Sequence, residues 1–195
     1  MHVIAITGLP GAGKSTIAAM LKEAGAEVFD ADAEVRRLYG PGGAAVPALA
    51  ERFPEVVENG AVNSARLKEL LLKEPAALAL VEGIVHPLVA AARRAFLRKA
   101  QAAGARMAVL DIPLLYESGA HEEADLVVLA DAPDEVRLTR LEQRPGFDQA
   151  LLRLLEARQL PLAQKRARAD VIIDTSGSFE DTRRQVTALL RRLDR

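Results

Sequence analysis

The sequence predicts a three-layer α/β fold in which helices cover both faces of a five-stranded parallel sheet. Short apolar runs, each of a length typical of a buried strand, alternate with segments of helical periodicity. The chain of 195 residues has a length that suits one such domain. The predicted strands are Val3–Thr7, Glu27–Phe29, Arg106–Ile112, Leu126–Ala130 and Val171–Asp174.

Each of the first four strands has a glycine or an aspartate at or beside its end. These residues are Gly8, Asp30, Asp111 and Asp131. In an open parallel sheet, ligands bind in the crevice outside the carboxyl ends of the strands. The sequence therefore predicts a ligand site along this edge of the sheet.

Helical segments between the strands predict a core with two insertions. Pro87 is expected to begin one helix, which ends at Gly104, and Ser178 is expected to cap the last helix. The stretch from Ala31 to about Lys99 holds helical patterns and no convincing strand. We expect one domain, 1–195. Its parts are a core (1–30, 100–136 and 161–195), a helical insertion after strand 2 (31–99) and a lid after strand 4 (137–160).

Composition and charge exclude several classes of protein. The net charge of −1 argues against a binder of nucleic acid or anionic membrane, and the lack of cysteine excludes disulfides and thiolate chemistry. The sequence has neither an apolar run long enough to span a bilayer nor the pattern of a signal peptide. We expect a cytoplasmic protein, a monomer or weak oligomer, that binds neither nucleic acid nor membrane.

The segment Gly8–Ser15 reads GLPGAGKS and matches the phosphate-loop pattern G-x-x-x-x-G-K-[ST] at every fixed position. Its glycines let the backbone turn tightly, so that successive N–H groups form an anion cradle at the start of a helix. Lys14 is expected to reach the β- and γ-phosphates of ATP, and Ser15 to ligate Mg²⁺. The motif implies a P-loop NTPase fold with sheet order 2-3-1-4-5. The predicted ATP-binding residues here are Gly11, Ala12, Gly13, Lys14, Ser15 and Thr16.

Among P-loop proteins, the rest of the chain favours a small-molecule kinase. GTPases carry an N-K-x-D motif that reads the base, but asparagine occurs only at Asn59 and Asn63, in other settings. The D-x-x-G match Asp174–Gly177 lies at the last strand, where a switch segment would not lie. A small chain with these two insertions is typical of a metabolite kinase, in which one holds the acceptor and the other excludes water from ATP.

Five further elements resemble the dephospho-CoA kinase family in order and spacing, over nearly the whole chain. They are similar to its D-A-D-x-x-x-R signature, its H-P element, its P-L-L-[FY]-E segment, its arginine-bearing lid and its closing A-D-x-[VI]-I-D strand. The elements are Phe29–Asp32 with Arg36, Ile84–Pro87, Ile112–Glu117, Arg140 and Arg144 followed by Gln159, and Ala169–Asp174. The resemblance implies transfer of the γ-phosphate of Mg·ATP to the ribose 3′-hydroxyl of dephospho-coenzyme A, which gives coenzyme A.

Three aspartates are candidates for the chemistry. The resemblance implies that Asp32 orients the acceptor hydroxyl and takes its proton, although Asp32 could instead cap the next helix. Asp30 is expected either to hold a water of Mg²⁺ or to cap that helix. Asp111 ends an apolar run in the manner of a Walker B acid, which would place it on Mg²⁺ through water.

Three arginines, Arg137, Arg140 and Arg144, recur at helical spacing on one predicted face. A planar guanidinium can fork two phosphate oxygens, so in the lid that the resemblance implies Arg140 is expected to be catalytic and Arg144 to bind ATP, although both could instead lie on a solvated face. The other expected catalytic residues are Lys14 of the phosphate loop and Asp32. Arg137 is expected on a solvated face. Other basic residues expected at the surface are Arg37, Arg153, Lys165, Arg166 and Arg168.

The acceptor side is implied by the same resemblance. Arg36 is expected to pair with the pyrophosphate of the acceptor, and His86 either touches the acceptor or organises the start of a helix. Leu114, with its two neighbours, is expected in the pocket wall and core. The acceptor-binding residues are then Asp32, Arg36, His86 and Leu114.

Two other functions stay open from the residues. A kinase of a nucleoside monophosphate or a sugar acid would share the phosphate loop but not the D-A-D, H-P and P-L-L-Y-E set. A non-catalytic ATP sensor would have no need of an acceptor-side carboxylate such as Asp32. The expected partners are ATP and dephospho-CoA, with Mg²⁺ as the cofactor.

Overall fold

A computed structural model of the chain describes residues 1–193. The last two residues of the predicted core segment 161–195 lie outside the described residues. Within residues 1–193, helices pack on both faces of one central sheet. No helix of this part of the chain has the length and apolar character needed to cross a membrane.

The central sheet consists of five parallel strands. They are β1 (His2–Thr7), β2 (Glu27–Asp30), β5 (Met107–Asp111), β6 (Leu126–Asp131) and β7 (Val171–Asp174). Their order is β2-β5-β1-β6-β7, and the predicted fold class is confirmed. The predicted order 2-3-1-4-5 counts only the strands of the main sheet. Its numerals differ from the observed ones because a hairpin of two further strands comes between β2 and β5 in the chain.

That hairpin is antiparallel and joins β3 (Val57–Glu58) to β4 (Ala61–Val62). The prediction that residues 31–99 hold no strand is therefore wrong. The turn residues Asn59 and Gly60 have φ values of 51° and 74°. A two-residue turn with positive φ at both positions matches the twist of a hairpin, and Asn-Gly is its strongest sequence signal.

The helices lie between the strands and in the two insertions. The α-helices of the described residues are α1 (Lys14–Glu23), α2 (Ala31–Tyr39), α3 (Val46–Arg52), α4 (Ser64–Lys73), α5 (Ala77–Ala102), α6 (Asp134–Glu142), α7 (Gln149–Glu156), α8 (Leu162–Arg168) and α9 (Phe179–Leu193). Two short 3-10 helices span Pro54–Val56 and Ala120–Glu123. Ser178 caps α9 as predicted, since its hydroxyl accepts from the N–H of Asp181 at 3.2 Å.

Helix α5 continues through Pro87, so the prediction that Pro87 begins a helix is wrong. A proline inside a helix removes one hydrogen bond and costs about 3 kcal/mol or more. The helix nevertheless buries Val81, Val85 and Val89 at intervals of four residues. Each such side chain contributes roughly 1.5–3 kcal/mol on burial, which outweighs the cost of the proline.

Two apolar clusters hold the helices on the sheet, because successive side chains of a strand point to opposite faces. Ile4 and Ile6 of β1 pack with α1 and α9 on one face, whereas Ala5 packs with the helices of segment 31–99 on the other. Ile17 and Leu21 of α1 are fully buried in the first cluster. The elements on both sides of the connection between β1 and α1 are therefore packed in the core.

Candidate active site

The phosphate loop connects β1 to α1, and its glycines are required by its conformation. Gly8 has a φ of 152°, and a Cβ atom there would lie 2.4 Å from the carbonyl oxygen of Ala130. Gly13, with a φ of 84°, precedes the first turn of α1. Because glycine has no side chain to cap a helix, the first N–H groups of α1 stay available to an anion.

The ammonium of Lys14 lies against this loop. Its Nζ donates to the carbonyl oxygens of Gly8 at 3.0 Å and Leu9 at 3.4 Å. Burial lowers the pKa of Lys14, and the carboxylates of Asp111 and Asp32 oppose that shift. Lys14 thus lies between the phosphate loop and the strand ends that carry the aspartates.

Asp30 and Asp32 occupy different positions at the start of α2. Asp30 is the N-cap, because its Oδ1 accepts from the N–H of Ala33 at 2.8 Å. The alternative in which Asp32 caps this helix is therefore wrong, and Asp32 lies in the first turn. Asp32 as a whole residue is exposed, but the protein around its carboxyl group partly desolvates that group and so raises its pKa, whereas the charge of Lys14 lowers it.

Asp111 ends β5 and pairs in register with Ile6 of β1 and Asp30 of β2. It is only 7% exposed, and its Oδ1 has no hydrogen-bond partner among residues 1–193. Burial raises the pKa of Asp111 to about 6, while Lys14 and a hydrogen bond with Ser15 act in the opposite direction. A buried acceptor without a partner is costly unless a ligand satisfies it.

Two cavities meet beside the loop. The phosphate cleft, of about 370 Å³, is lined by loop residues together with Asp111 and Arg144. The apolar pocket, of about 340 Å³, is lined by residues of α2, α5 and the segment after β5. Asp32, Pro113 and Leu114 line both cavities. Ligands in the two cavities would therefore face each other across Asp32.

The residues predicted for the acceptor separate into two groups. His86 and Leu114 line the apolar pocket, next to Asp32. Arg36 lies outside the lining of both cavities within the described chain, with its side chain 70% exposed. It pairs loosely with Asp30, at 3.7 Å.

The loop brings the predicted ATP-binding residues together at the phosphate cleft, with the exception of Ala12. Lys14, Ser15, Thr16 and the glycines Gly11 and Gly13 line the phosphate cleft. Ala12 is buried, 1% exposed, and its N–H donates to the carbonyl oxygen of Leu9 at 3.1 Å within the loop.

The three arginines of α6 and the residues after it have different surroundings. Arg140 donates to the carbonyl oxygens of Thr175 at 2.5 Å and Gly11 at 3.3 Å. Its predicted catalytic role requires the guanidinium to leave these carbonyl groups and turn to the cleft. Arg144 lines the cleft directly.

Arg137 is buried, 4% exposed, so the prediction of a solvated face is wrong. Its guanidinium donates to the carbonyl oxygen of Pro10 at 2.6 Å and to the carboxylates of Glu156 at 2.9 Å and Asp134 at 2.8 Å. Helical spacing gave the correct face, but tertiary contacts with the loop and α7 cover this part of it. Arg137 therefore joins the phosphate loop to the lid.

The prediction that Lys165 lies at the surface is also wrong, because Lys165 is fully buried. Leu115 and Tyr116 are buried as predicted. The other basic residues expected at the surface are exposed: Arg37, Arg153, Arg166 and Arg168.

Residues that the sequence analysis did not assign to the site also line the phosphate cleft. Gln159 and Arg158 come from the end of the lid, and Glu82 comes from α5. The Arg158 and Glu82 side chains form an ion pair at 2.7 Å across the cleft. The family resemblance includes Gln159 in the lid element without giving it a role, and Glu82 has no local signal because it lies in an ordinary helical pattern.

The chain is similar to known proteins over nearly its whole length. A dephospho-CoA kinase of Brucella melitensis is 45% identical over 190 residues, covering 97% of this chain and 94% of the relative. A solved structure from Thermus thermophilus is 34% identical with a TM-score of 0.79, covering 98% of this chain and 97% of that one. The dephospho-CoA kinase of Campylobacter jejuni has a TM-score of 0.71 at 21% identity, covering 98% and 96%, which bears on the fold alone.

The family comparison covers most of the length of the molecule. The sequence model for dephospho-CoA kinase matches residues 2–181, which contain the phosphate loop, both cavities and all the aspartates described above. The match is consistent with the shared wall at Asp32, since a kinase must bring its two substrates together at one point. The chain belongs to the dephospho-CoA kinase family.

Proposed function

We propose that this chain transfers the γ-phosphoryl group of ATP to the ribose 3′-hydroxyl of dephospho-coenzyme A, giving coenzyme A and ADP. The observation that carries the proposal is the position of Asp32, which lines both the phosphate cleft and the apolar pocket. The family relatives named as dephospho-CoA kinases support the choice of acceptor. Segment 31–99 would hold the acceptor, and segment 137–160 would cover ATP.

In the proposed reaction, most of the work is positioning and neutralising charge, because phosphoryl transfer has a loose transition state. The loop N–H groups hold the phosphates, and Lys14 and Arg144 neutralise charge on their oxygens. The bond from the acceptor oxygen to phosphorus forms as the bond from phosphorus to the leaving oxygen of ADP breaks. Asp32 orients the hydroxyl and accepts its proton.

The apolar pocket supports an acceptor that is partly non-polar and enters beside a carboxylate. His86 and Leu114 form part of its wall. Arg93 lines the same pocket and makes a bidentate pair with Glu123, at 2.8 and 2.9 Å. Arg36 is free to turn to the acceptor pyrophosphate, because its only ion pair in the described chain is long and exposed.

We propose that Ser15 and Asp111 hold Mg²⁺, with Asp111 acting through a bound water. Mg²⁺ prefers oxygen ligands and usually keeps several waters, held by one or two carboxylates and by substrate phosphates. The residues fit, because Asp111 offers a buried oxygen without a partner beside Ser15. The ion supplies neutralisation of charge on the β- and γ-phosphates. Asp30 is engaged as a helix cap.

We expect Asp111→Asn to raise the Mg²⁺ concentration for half-maximal rate by about ten- to a hundredfold, as for other outer ligands of a metal. Asparagine keeps the size of the side chain but removes its charge. The measurement is the initial rate of ADP release over a Mg²⁺ titration at fixed ATP. Asp131→Asn is the control, since Asp131 also ends a strand but pairs with Arg166. An unchanged titration in Asp111→Asn would contradict the assignment.

The acceptor is tested by ADP release with a panel of compounds. We expect dephospho-CoA to stimulate ADP release far above the buffer rate, whereas nucleoside monophosphates and sugar acids do not. Stimulation by another acceptor but not by dephospho-CoA would identify a different small-molecule kinase. ATP binding without stimulation by any acceptor would identify a nucleotide sensor.

We propose further that the protein acts in the cytoplasm, as a monomer or weak oligomer, on ATP and dephospho-CoA. Its net charge of −1 and lack of cysteine support this setting. The same charge balance supports the absence of nucleic acid and of membrane lipid among its partners.

A further inference from the structure

A fully buried lysine, Lys165 of α8, lies outside the machinery described so far. Its Nζ donates to the side-chain Oε1 of Gln159 at 2.8 Å and to the carbonyl oxygen of Pro113 at 3.1 Å. It also pairs with the carboxylate of Glu117 at 3.5 Å. An ammonium has three N–H donors, and these two hydrogen bonds and one ion pair surround it with acceptors.

The contacts of Lys165 join two parts of the site that are distant in the sequence. Pro113 belongs to the wall that separates the phosphate cleft from the apolar pocket. Its carbonyl oxygen also accepts from the hydroxyl of Thr7, the last residue before the phosphate loop, at 3.1 Å. Glu117 accepts from the backbone N–H of Leu160, next to Gln159. The wall, the loop and the end of the lid therefore converge on one ammonium.

The chemistry of this contact fixes the orientation of the Gln159 amide. Lysine can only donate hydrogen bonds, so Gln159 must present its oxygen to Lys165. Gln159 lines the phosphate cleft, and with its Oε1 held by Lys165 the NH₂ group is the part of the amide that remains for a ligand there. Two N–H donors beside Lys14 and Arg144 suit the oxygens of a phosphoryl group.

We propose that Lys165 is a positioning residue that fixes the wall at Pro113 and turns the amide of Gln159 so that its N–H groups bind the phosphates of ATP. This inference rests on the proposed function for the identity of the ligand. Burial lowers the pKa of Lys165, and the carboxylate of Glu117 opposes that shift.

Gln159→Glu is the decisive variant, because glutamate keeps an oxygen for Lys165 and places an opposite charge beside it. We expect the melting temperature to be kept or raised. We expect ATP affinity and kcat each to fall by at least about tenfold, since a carboxylate offers phosphate no N–H donor. ATP affinity is measured with a fluorescent ATP analogue in the absence of acceptor, and kcat by ADP release with dephospho-CoA. Wild-type affinity and kcat in this variant would overturn the inference.

Lys165→Met tests whether Lys165 acts through Gln159. Arg166→Gln is the control, since Arg166 is a neighbouring, exposed cation. We expect Lys165→Met to lower kcat, and Lys165→Met combined with Gln159→Glu to cost less than the sum of the separate effects. Additive effects would show that Lys165 does not act through Gln159. If Lys165→Met does not fold, Gln159→Glu decides alone. A wild-type protein that binds the analogue but gives no ADP with dephospho-CoA would contradict the proposed function and leave the affinity test intact.

Discussion

Replacing Lys14 with alanine should lower the rate of ADP release by at least about a hundredfold, because single charge-stabilising groups in phosphoryl transfer contribute on that order or more. The ammonium lies against the carbonyl oxygens of Gly8 and Leu9, within reach of the phosphates that the loop would hold. The measurement is kcat under saturating ATP and acceptor. The melting temperature should change little, because the variant removes a charge that is costly to bury.

Lys22→Ala is the matched control for this prediction, since Lys22 lies on the same helix but is exposed. We expect Lys22→Ala to keep wild-type turnover. Near-normal turnover in Lys14→Ala would remove Lys14 from the catalytic residues.

Replacing Asp32 with asparagine should lower kcat by at least about a hundredfold while ATP affinity is largely kept, the range expected when a general base is lost. Asparagine fills the same space at the wall between the cavities but cannot accept the hydroxyl proton. The assay compares kcat with ATP affinity measured separately. A lower melting temperature with little change in kcat would instead assign Asp32 a structural role.

The pH profile gives an independent measure of Asp32. A base must be ionised to accept a proton, so activity falls as pH falls through its pKa. Because partial desolvation of its carboxyl group raises the pKa of Asp32, the acid limb of kcat/KM should lie above the range of an ordinary aspartate. Asp32→Asn should lose the part of this limb that Asp32 contributes, while the Asp111 carboxyl, with a pKa of about 6, contributes the rest. Glu34→Gln is the control, since Glu34 lies on the same helix and pairs with Arg37.

The parts of the site that are local in sequence could be predicted from it. The phosphate loop has a fixed spacing of glycine, lysine and serine between a strand and a helix, and the structure places Lys14 and Ser15 in the cleft. The parallel strands follow from short apolar runs, and their order places Asp30 next to Asp111. Asp32 needed the family resemblance, because a helix cap was an equally local explanation.

The residues whose surroundings the sequence predicts wrongly make contacts with distant parts of the chain. Arg137 and Lys165 are charged, and charged side chains are usually exposed unless they are paired. Their partners Pro10, Glu156 and Gln159 come from other segments, which no local pattern connects. The prediction that Pro87 begins a helix is wrong for a related reason, because packing against the core outweighs the local preference of proline.

The wall shared by the two cavities also determines how the substrates can meet. Since Asp32, Pro113 and Leu114 belong to both linings, the donor and the acceptor of the proposed reaction would occupy neighbouring compartments. A single compound in which a nucleotide and the acceptor are joined through a phosphate chain would therefore fill both compartments as one ligand. Such a bisubstrate compound would retain the contacts of each half while losing the freedom of only one molecule on binding.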